Sequence, residues 1–155
     1  MALIILLDAG LVGLACSDPS KPDTMAFDAW LKGTVGSSVD VYISDVTRYE
    51  VRRELVRLGA VAKLGRLDRI CSEVPVVAVT SEAWERAGDF WAIVRRRGRP
   101  TASPDALDAD AILAGVAATM AGPGDQVIIA TTNIRHLGGF PGIDARLWQS
   151  IPPNG

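Results

Sequence analysis

The sequence predicts an α/β fold, a single three-layer α/β/α domain around a central, mainly parallel sheet of four to five strands. The length of 155 residues suits one domain, and a hydrophobic content of 48% is enough for a sizeable core. Short apolar runs alternate with segments of helix length, which is typical of a parallel sheet covered by helices. No repeat or long linker divides the chain. We therefore expect one domain at residues 1–150 and a short tail at residues 151–155.

Short apolar runs mark the strands of this sheet. The four clearest lie at residues 2–7, 40–43, 75–79 and 126–131, and residues 143–148 are a candidate for a fifth. The first run has only six residues, has no basic residue ahead of it and ends at Asp8. It is too short for a membrane span and lacks the charged start of a signal peptide, so we interpret it as a buried strand.

Helices are predicted in the gaps between the strands. We expect them at residues 24–33, 45–58, 60–72, 81–97 and 108–120. Ser44 is placed to cap the second of these helices, and Gly59 separates it from the third. Thr80 or Ser81 can cap the fourth helix. The last helix follows a proline-rich loop and stops near Gly122.

The charge and the cysteine content restrict the function classes. The formal net charge is −2, so the protein as a whole does not attract nucleic acid, and any such binding has to be local. Cys16 and Cys71 are isolated thiols without a CxxC spacing, which favours a reducing compartment and a cytoplasmic protein over a secreted one. The sequence around neither cysteine indicates a catalytic role.

Polar residues follow three of the predicted strands near the point where each strand ends. Asp8 directly follows the first strand, and Glu50 lies in the second turn of the helix after the second strand. The fourth strand is followed by Thr131, Thr132 and Asn133. Because the carboxyl ends of parallel strands meet at one edge of a sheet, where reactive groups gather, we expect these side chains to lie near one another.

The stretch LDADAILAG, residues 107–115, places two carboxylates in a segment that is apolar enough to be buried. Asp110 shares a helix face with Leu113 and Ala114, and that apolar face is expected against the sheet. A helix that leads into the fourth strand starts at the same edge of the sheet, so Asp110 joins the other polar residues there. Asp108 converges with Asp110 only if it lies in the first turn or before it. An ionised carboxylate in such a place needs a cap, a base or a metal as its partner.

Each acid taken alone also has an ordinary structural explanation. Asp8 could cap a turn, and Asp108 could be a first-turn acid that favours the helix dipole. Glu50 could pair with Arg53 on a solvated face, and the helical periodicity does not choose between Glu50 and Glu54. The placement of all these acids at one edge of one sheet favours a functional site, because independent caps have no reason to converge.

The motifs in this order resemble those of the PIN-domain nucleases and, within them, the VapC-type ribonuclease toxins. The first strand ends in Asp8 within LIILLD, and SDVTRYE has the family's Ser or Thr followed six residues later by Glu. The resemblance therefore favours Glu50 over Glu54. DAILAGVA, which starts at Asp110, is similar to the family's Asp followed by an apolar helix, and relatives with a second acid two residues earlier resemble Asp108 here.

The resemblance continues after the fourth strand and covers residues 2–150. The sequence from Thr131 to Asn133 looks like the family's T-x-N/D motif, and the step from Asn133 to His136 looks like its N-x-x-H motif. The PGI tripeptide and Trp148 follow, as in the usual ending of the family. Each motif is weak singly, but the ordered set is fairly specific.

The chain departs from the family pattern in two places. Ala9 and Gly10 stand where many relatives have a polar residue after the first Asp, so a hydrogen bond to a metal-bound water is missing there. Asn133 stands where many relatives carry a fourth acid, although Asn is common in the toxin branch. Asp108 could supply the missing charge.

The resemblance implies a metal-dependent endoribonuclease that hydrolyses RNA phosphodiester bonds and acts as the toxin of a toxin–antitoxin pair. The implied cofactor is Mg²⁺ or Mn²⁺, which suit sites made of oxygen ligands. The resemblance implies that Asp8 and Asp110 are metal ligands and that Asp108 is an auxiliary ligand. It implies that Glu50 is a further ligand or orients the attacking water. The residues implied to support water or phosphate are Asn133, Thr131 and Ser44. The implied partners are RNA, a small antitoxin and a second copy of the chain, with no membrane.

A basic element precedes the stretch LDADAILAG. Its RRRGR sequence makes Arg96, Arg97 and Arg99 candidates for contacts to RNA phosphates, although arginines at a helix end also favour the helix dipole. We expect a local hydrogen-bonding role for His136. Trp30 lies on the first long helix, which in the family often takes part in partner or dimer contacts.

Two other function classes compete with the toxin. One is a PIN-fold protein without toxicity, which acts in RNA processing or as a weakened RNA-binding module. The other is a phosphoacceptor receiver, which also gathers acids at strand ends. The receiver needs a late strand-end Asp and a Lys beyond it, but this chain shows no such Asp and its last lysine is Lys63. A Walker-type phosphate loop is absent from the sequence too.

Overall fold

A computed structural model describes residues 1–98 and 104–154 of the chain. Within them, one parallel sheet of five strands has the order β3-β2-β1-β4-β5. The strands are β1 (Leu3–Leu7), β2 (Asp40–Ser44), β3 (Val76–Val77), β4 (Gln126–Thr131) and β5 (Asp144–Leu147). The predicted α/β class and the candidate fifth strand are therefore confirmed. The third strand is shorter than predicted, because only its first residues pair with β2 at this edge of the sheet.

Seven helices surround the sheet in the described part of the chain. They are α1 (Ala9–Ala15), α2 (Pro22–Val35), α3 (Asp45–Arg57), α4 (Val61–Glu73), α5 (Ser81–Arg96), α6 (Pro104–Met120) and α7 (Ile134–Leu137). The five predicted helices are all present, whereas α1 and α7 were not predicted. None of the helices in residues 1–98 and 104–154 combines the length and the apolar character that crossing a membrane requires.

The start of α6 corrects a prediction. The helix begins at Pro104 and not at residue 108, since the fixed φ angle of proline suits the first turn of a helix. Asp108 therefore lies beyond the first turn, and it is not a helix cap. Both Asp108 and Asp110 are helical, so their side chains point to different sides of α6.

The two faces of the sheet pack against different sets of helices. Helices α1 to α4 cover one face with a core that contains Phe27, Trp30 and Trp148, whose rings lie 5.5–5.8 Å apart. The indole N–H of Trp30 donates to the carbonyl oxygen of Ile151 at 2.8 Å. Ile151, in the predicted tail, is thus part of this core.

Helices α5 and α6 cover the other face and approach each other closely. A Cβ atom added at Gly115 would lie 2.4 Å from the carbonyl oxygen of Ala83 and 3.0 Å from the amide nitrogen of Ala87. Glycine is therefore required at this crossing. The close contact fixes α6, and with it Asp110, relative to α5 and the sheet.

Candidate functional site

A cavity of about 200 Å³ lies at the carboxyl edge of the sheet, and we name it the carboxylate cavity. Asp8 from the end of β1, Glu50 from α3 and Asp110 from α6 line it. The other lining residues are Ala9, Gly10, Val46, Thr47, Ala109, Leu113, Thr132, Asn133, His136 and Leu137. The strand register explains this meeting, because Leu7 pairs with both Ile43 and Ala130, so β1, β2 and β4 end side by side.

Asp8 is held by the backbone that follows β1 and β4. Its Oδ1 accepts from the backbone N–H of Leu11 at 2.8 Å, which caps α1, and the Thr131 hydroxyl donates to its Oδ2. Burial raises the pKa of the Asp8 carboxyl, and these hydrogen bonds oppose the rise without cancelling it. The cap and the hydroxyl fix the orientation of this carboxylate.

Asp110 carries the largest electrostatic strain of the three acids. Burial, with smaller contributions from the charges of Glu50 and Asp8, raises the pKa of the Asp110 carboxyl to about 7. The pKa of Glu50 is also raised, chiefly by burial, while Arg53 at 4.0 Å opposes the rise. The charge of Asp8 therefore acts on Glu50, and the charges of Asp8 and Glu50 both act on Asp110.

Position also distinguishes Glu50 from Glu54. Glu50 is partly buried in the carboxylate cavity, whereas Glu54 is exposed and pairs with Arg57. The structure therefore places Glu50, and not Glu54, with the other acids. This agrees with the choice that the motif resemblance makes.

The polar residues predicted to support the site hold the backbone around it. Thr131 is fully buried, and its hydroxyl oxygen accepts from the backbone N–H of Asn133 at 3.0 Å. The Asn133 side chain lines the cavity and caps α7 by accepting from the N–H of Arg135. Ser44 is buried below α3 and caps that helix at Val46, so it positions Glu50 from outside the cavity lining.

Asp108 does not line the carboxylate cavity. It is exposed and lines a second cavity next to the first, which it shares with Tyr49 and Trp84. The rotation between positions 108 and 110 on one helix separates the two carboxylates, so the expected auxiliary ligand is not brought to Asp8 and Asp110.

Two of the three predicted basic contacts lie in the described part of the chain. Arg96 and Arg97 are at the carboxyl end of α5, and neither lines the carboxylate cavity. Arg97 donates to the carbonyl oxygen of Gly139 at 2.8 Å, which fixes its side chain near α7. Arg99, the third candidate, lies outside the described residues.

Several lining residues were not among the predicted site residues, and Gly10, Thr132 and His136 belong to this group. A Cβ atom at Gly10 would lie 2.6 Å from the hydroxyl of Thr132, so glycine allows this close approach. The backbone amides of Gly10 and Thr132 also act to lower the pKa of the Asp8 carboxyl. The signals for these residues were their positions directly after β1 and β4 and the N-x-x-H motif.

The donor set of the carboxylate cavity fits a hard divalent cation. Three carboxylates from separate elements supply oxygen ligands, and their mutual repulsion is what a dication relieves. Throughout residues 1–98 and 104–154, however, no three acidic, histidine or cysteine side chains are already arranged to hold a metal ion. The chemistry and the position of the acids therefore match Mg²⁺ or Mn²⁺, while the coordination geometry is not preformed.

Comparison with solved structures shows where this architecture occurs. DNA-bound VapBC from Salmonella typhimurium contains a chain with a TM-score of 0.69 and 20% identity, covering 94% of this chain and 98% of that one. VapBC2 from Rickettsia felis, bound to a promoter DNA fragment, contains a chain with a TM-score of 0.68 and 12% identity, and the match covers 94% of this chain and 98% of that one. FitAcB from Neisseria gonorrhoeae contains a chain with a TM-score of 0.67 and 19% identity, and the match covers 95% of this chain and 99% of that one. Neither the protein-family models nor the curated protein sequences give a match.

The fold and the cavity together define a parallel α/β protein with acids at the carboxyl edge of its sheet. Because the structural likeness extends over nearly the whole chain, this protein has the PIN-like fold of the VapC type. The resemblance drawn from the sequence motifs is thus confirmed at the level of the fold. At identities of 12–20%, the likeness carries the fold alone.

Proposed function

We propose that this protein is a metal-dependent endoribonuclease that hydrolyses RNA phosphodiester bonds. One observation carries the proposal: Asp8, Glu50 and Asp110 come from three elements and line one cavity at the carboxyl edge of the sheet. Carboxylates with raised pKa values that share a cleft are typical of functional sites, and purely structural acids are usually paired. The VapC-type fold supports the same activity class.

Each residue of the carboxylate cavity has a defined task in this proposal. Asp8 and Asp110 would hold Mg²⁺ or Mn²⁺, which would supply Lewis-acid chemistry to polarise the phosphodiester and to lower the pKa of a water. Glu50 orients the attacking water or accepts its proton. Thr131 holds the Asp8 carboxylate in place, and Asn133 positions phosphate or water at the rim.

The RNA backbone needs cations because the carboxylate cavity itself repels phosphate. Arg96 and Arg97 are the described candidates for this contact, and both are arginines at the end of α5. Since the formal net charge of the chain is −2, such local basic groups have to provide the electrostatic attraction. Arg99 is a third candidate on sequence grounds.

RNA cleavage in the presence of Mg²⁺ or Mn²⁺ tests the proposal directly. We expect wild type to cut RNA, EDTA to abolish cutting, and Asp110→Asn to reduce the rate by about 100-fold or more. Asp89→Asn is the matched control, because Asp89 is an exposed acid on α5 outside the cavity lining. Equal cleavage by wild type and Asp110→Asn, both purified identically, would refute the proposed site.

We further propose that the protein is the toxin of a toxin–antitoxin pair. The solved structures that share its fold include VapBC and FitAcB assemblies, which favours a small antitoxin as the partner of this chain. Expression in a bacterial host should arrest growth in wild type but not in Asp110→Asn, and co-expression of a short upstream reading frame should restore growth. RNA cleavage without growth arrest would favour the non-toxic RNA-processing alternative.

A homodimer and a cytoplasmic location also remain predictions. Light scattering after size-exclusion chromatography measures the first, with a mass of twice 16.4 kDa expected for the dimer. Fractionation of the native host measures the second. Either result leaves the cleavage proposal intact.

A further inference from the structure

A second cavity of about 430 Å³ lies beside the carboxylate cavity, and we name it the aromatic cavity. The two cavities share Val46, Glu50 and Ala109 as a common wall. The other residues that line the aromatic cavity are Asp45, Tyr49, Arg53, Ala78, Val79, Trp84, Asp108 and Ile112. Its volume lies within the range of small-molecule sites, and a group bound there lies next to the catalytic carboxylates.

Two aromatic side chains that line this cavity are exposed to solvent and are not part of the core. Tyr49 of α3 is 62% exposed and Trp84 of α5 is 54% exposed. The guanidinium of Arg53 lies 5.3 Å from the centre of the Tyr49 ring. Exposed rings beside an arginine are the groups on which unpaired nucleic-acid bases stack, because every base has a flat π-face.

The charges in the aromatic cavity favour a base over a phosphate. Asp108 and Glu50 both line it and repel phosphate oxygens. Asp45 is satisfied by Arg48 at 2.9 Å, but among the described residues no hydrogen bond or ion pair holds Asp108. An ionised carboxylate is purely a hydrogen-bond acceptor, so Asp108 suits a ligand that carries an amino group. Cytosine presents such a group at N4, where uracil presents an acceptor oxygen.

We propose that the aromatic cavity binds an unpaired RNA base next to the cleaved phosphodiester, with the base stacked on Trp84 and Tyr49 and its amino group bonded to Asp108. The inference takes RNA as the ligand from the proposed function and adds which part of the RNA is recognised. It makes Asp108 a specificity residue that distinguishes cytosine from uracil. Base-paired RNA does not fit this role, since its bases are stacked within the duplex.

Binding without cleavage tests the stacking contact. The probes are fluorescein-labelled oligo(rC) and oligo(rU) of about eight nucleotides, titrated in EDTA and followed by fluorescence anisotropy. We expect Trp84→Ala to weaken oligo(rC) binding by about tenfold and Tyr49→Ala to weaken it less. Trp91→Ala is the matched control, because Trp91 is a 40% exposed tryptophan of the same helix outside the cavity lining. Equal affinities for Trp84→Ala and Trp91→Ala would overturn the inference.

The same titration tests the specificity residue. Wild type should prefer oligo(rC) to oligo(rU) by about tenfold, and Asp108→Asn should bring this ratio towards one. Asp89→Asn should keep the wild-type ratio. A ratio that Asp108→Asn leaves unchanged would remove Asp108 from base recognition.

Two further outcomes separate this inference from its alternatives. If Trp84→Ala changes the oligomeric state in light scattering but not RNA binding, the aromatic cavity is a contact between copies of the chain and the inference is wrong. If oligonucleotide binding depends on Trp84 but no metal supports RNA cleavage by wild type, the base site stands and the ribonuclease proposal fails. Circular dichroism of each variant checks that these exposed substitutions leave the fold intact.

Discussion

The acids at the two edges of the sheet differ in what surrounds them. At the amino edge, Asp125 accepts from the backbone N–H groups of Ala2 and Gly122, and Asp144 accepts from Arg146. These bonds lower the pKa of both carboxyls. At the carboxyl edge the pKa values of Asp8, Glu50 and Asp110 are raised, chiefly by burial.

This contrast separates acids that stabilise the fold from acids that destabilise it. Paired carboxylates at the amino edge tie strand ends together, and their charged forms are favoured in the folded state. Crowded carboxylates at the carboxyl edge disfavour the charged forms and lower the stability of the metal-free protein. The dication proposed for this site would relieve that cost, because oxygen donors suit Mg²⁺ and Mn²⁺.

The largest effect should come from removing one charge at the crowded edge. Glu50→Gln keeps the size of the side chain but removes its basicity, so we expect kcat for RNA cleavage to fall by about 100-fold. Glu54→Gln, one helical turn away and paired with Arg57, should retain wild-type activity. Measured initial rates with saturating Mg²⁺ check this pair. Equal losses in both variants would dissolve the distinction between the two glutamates.

The second-largest effect should be a loss of Mg²⁺ affinity when Asp8 loses its charge. Asp8→Asn keeps an oxygen that can cap α1 but loses the charge, so Mg²⁺ binding should weaken by about tenfold or more in isothermal titration calorimetry. Asp125→Asn, at the opposite edge of the sheet, should bind Mg²⁺ as wild type does. Unchanged affinity in Asp8→Asn would remove Asp8 from the metal site.

The pH dependence of stability should have opposite signs at the two edges. Because burial raises the pKa of Asp110 in the folded state to about 7 from its ordinary value of 3.8, its contribution to stability is fully present below pH 3.8 and is lost as the pH rises through 7. In EDTA, Asp110→Asn should therefore be more stable than wild type at pH 8, by about 1 kcal/mol, with a smaller gain at pH 6. Urea unfolding at both pH values measures this difference.

Asp144 provides the control, because its effect on the pH dependence of stability should have the opposite sign to that of Asp110. Its lowered pKa means that its contribution is present above the unfolded-state pKa and is lost as the pH falls through the folded-state value. Asp144→Asn should therefore destabilise the protein at pH 8. A destabilised Asp110→Asn at pH 8 would contradict the electrostatic strain assigned to the carboxyl edge.

The smallest effect concerns the arginines at the end of α5, which are the described candidates for RNA phosphate contacts. The double variant Arg96→Ala/Arg97→Ala should reduce the slope of log K for RNA binding against log salt by about one to two. Arg57→Ala, an exposed arginine already paired with Glu54, should leave the slope unchanged. Anisotropy titrations at several salt concentrations give both slopes, and identical values would exclude the α5 arginines from RNA contact.

Much of the carboxyl edge of the sheet could be predicted, because short sequence patterns mark where its strands end and where its helices begin. An apolar run that ends in Asp8 indicates a strand end, and Ser44 indicates the start of α3 by its capping hydroxyl. The predicted range 45–58 for this helix differs from Asp45–Arg57 by a single residue. The spacing from Asp110 to its apolar neighbours likewise predicted its inward face. Such signals need no knowledge of the tertiary structure.

The missed features depend on tertiary contacts. Helix α1 has the sequence AGLVGLA, whose two glycines disfavour a helix, yet the Asp8 cap and the burial of Leu11 and Val12 stabilise it. The aromatic cavity was missed because Tyr49 and Trp84 belong to different helices, and the sequence does not show that these helices bring the two rings together. Asp108 was grouped with Asp110 because the sequence did not show where α6 begins.

The wall formed by Val46, Glu50 and Ala109 between the two cavities has a consequence for inhibitor design. If the carboxylate cavity binds the proposed dication, a compound with a metal-chelating head and a flat ring on a short linker would occupy both cavities at once. Chelators alone act on many metalloenzymes, whereas the ring would require an aromatic neighbour on the far side of Glu50. Selectivity would then depend on the distance between two small chemical groups.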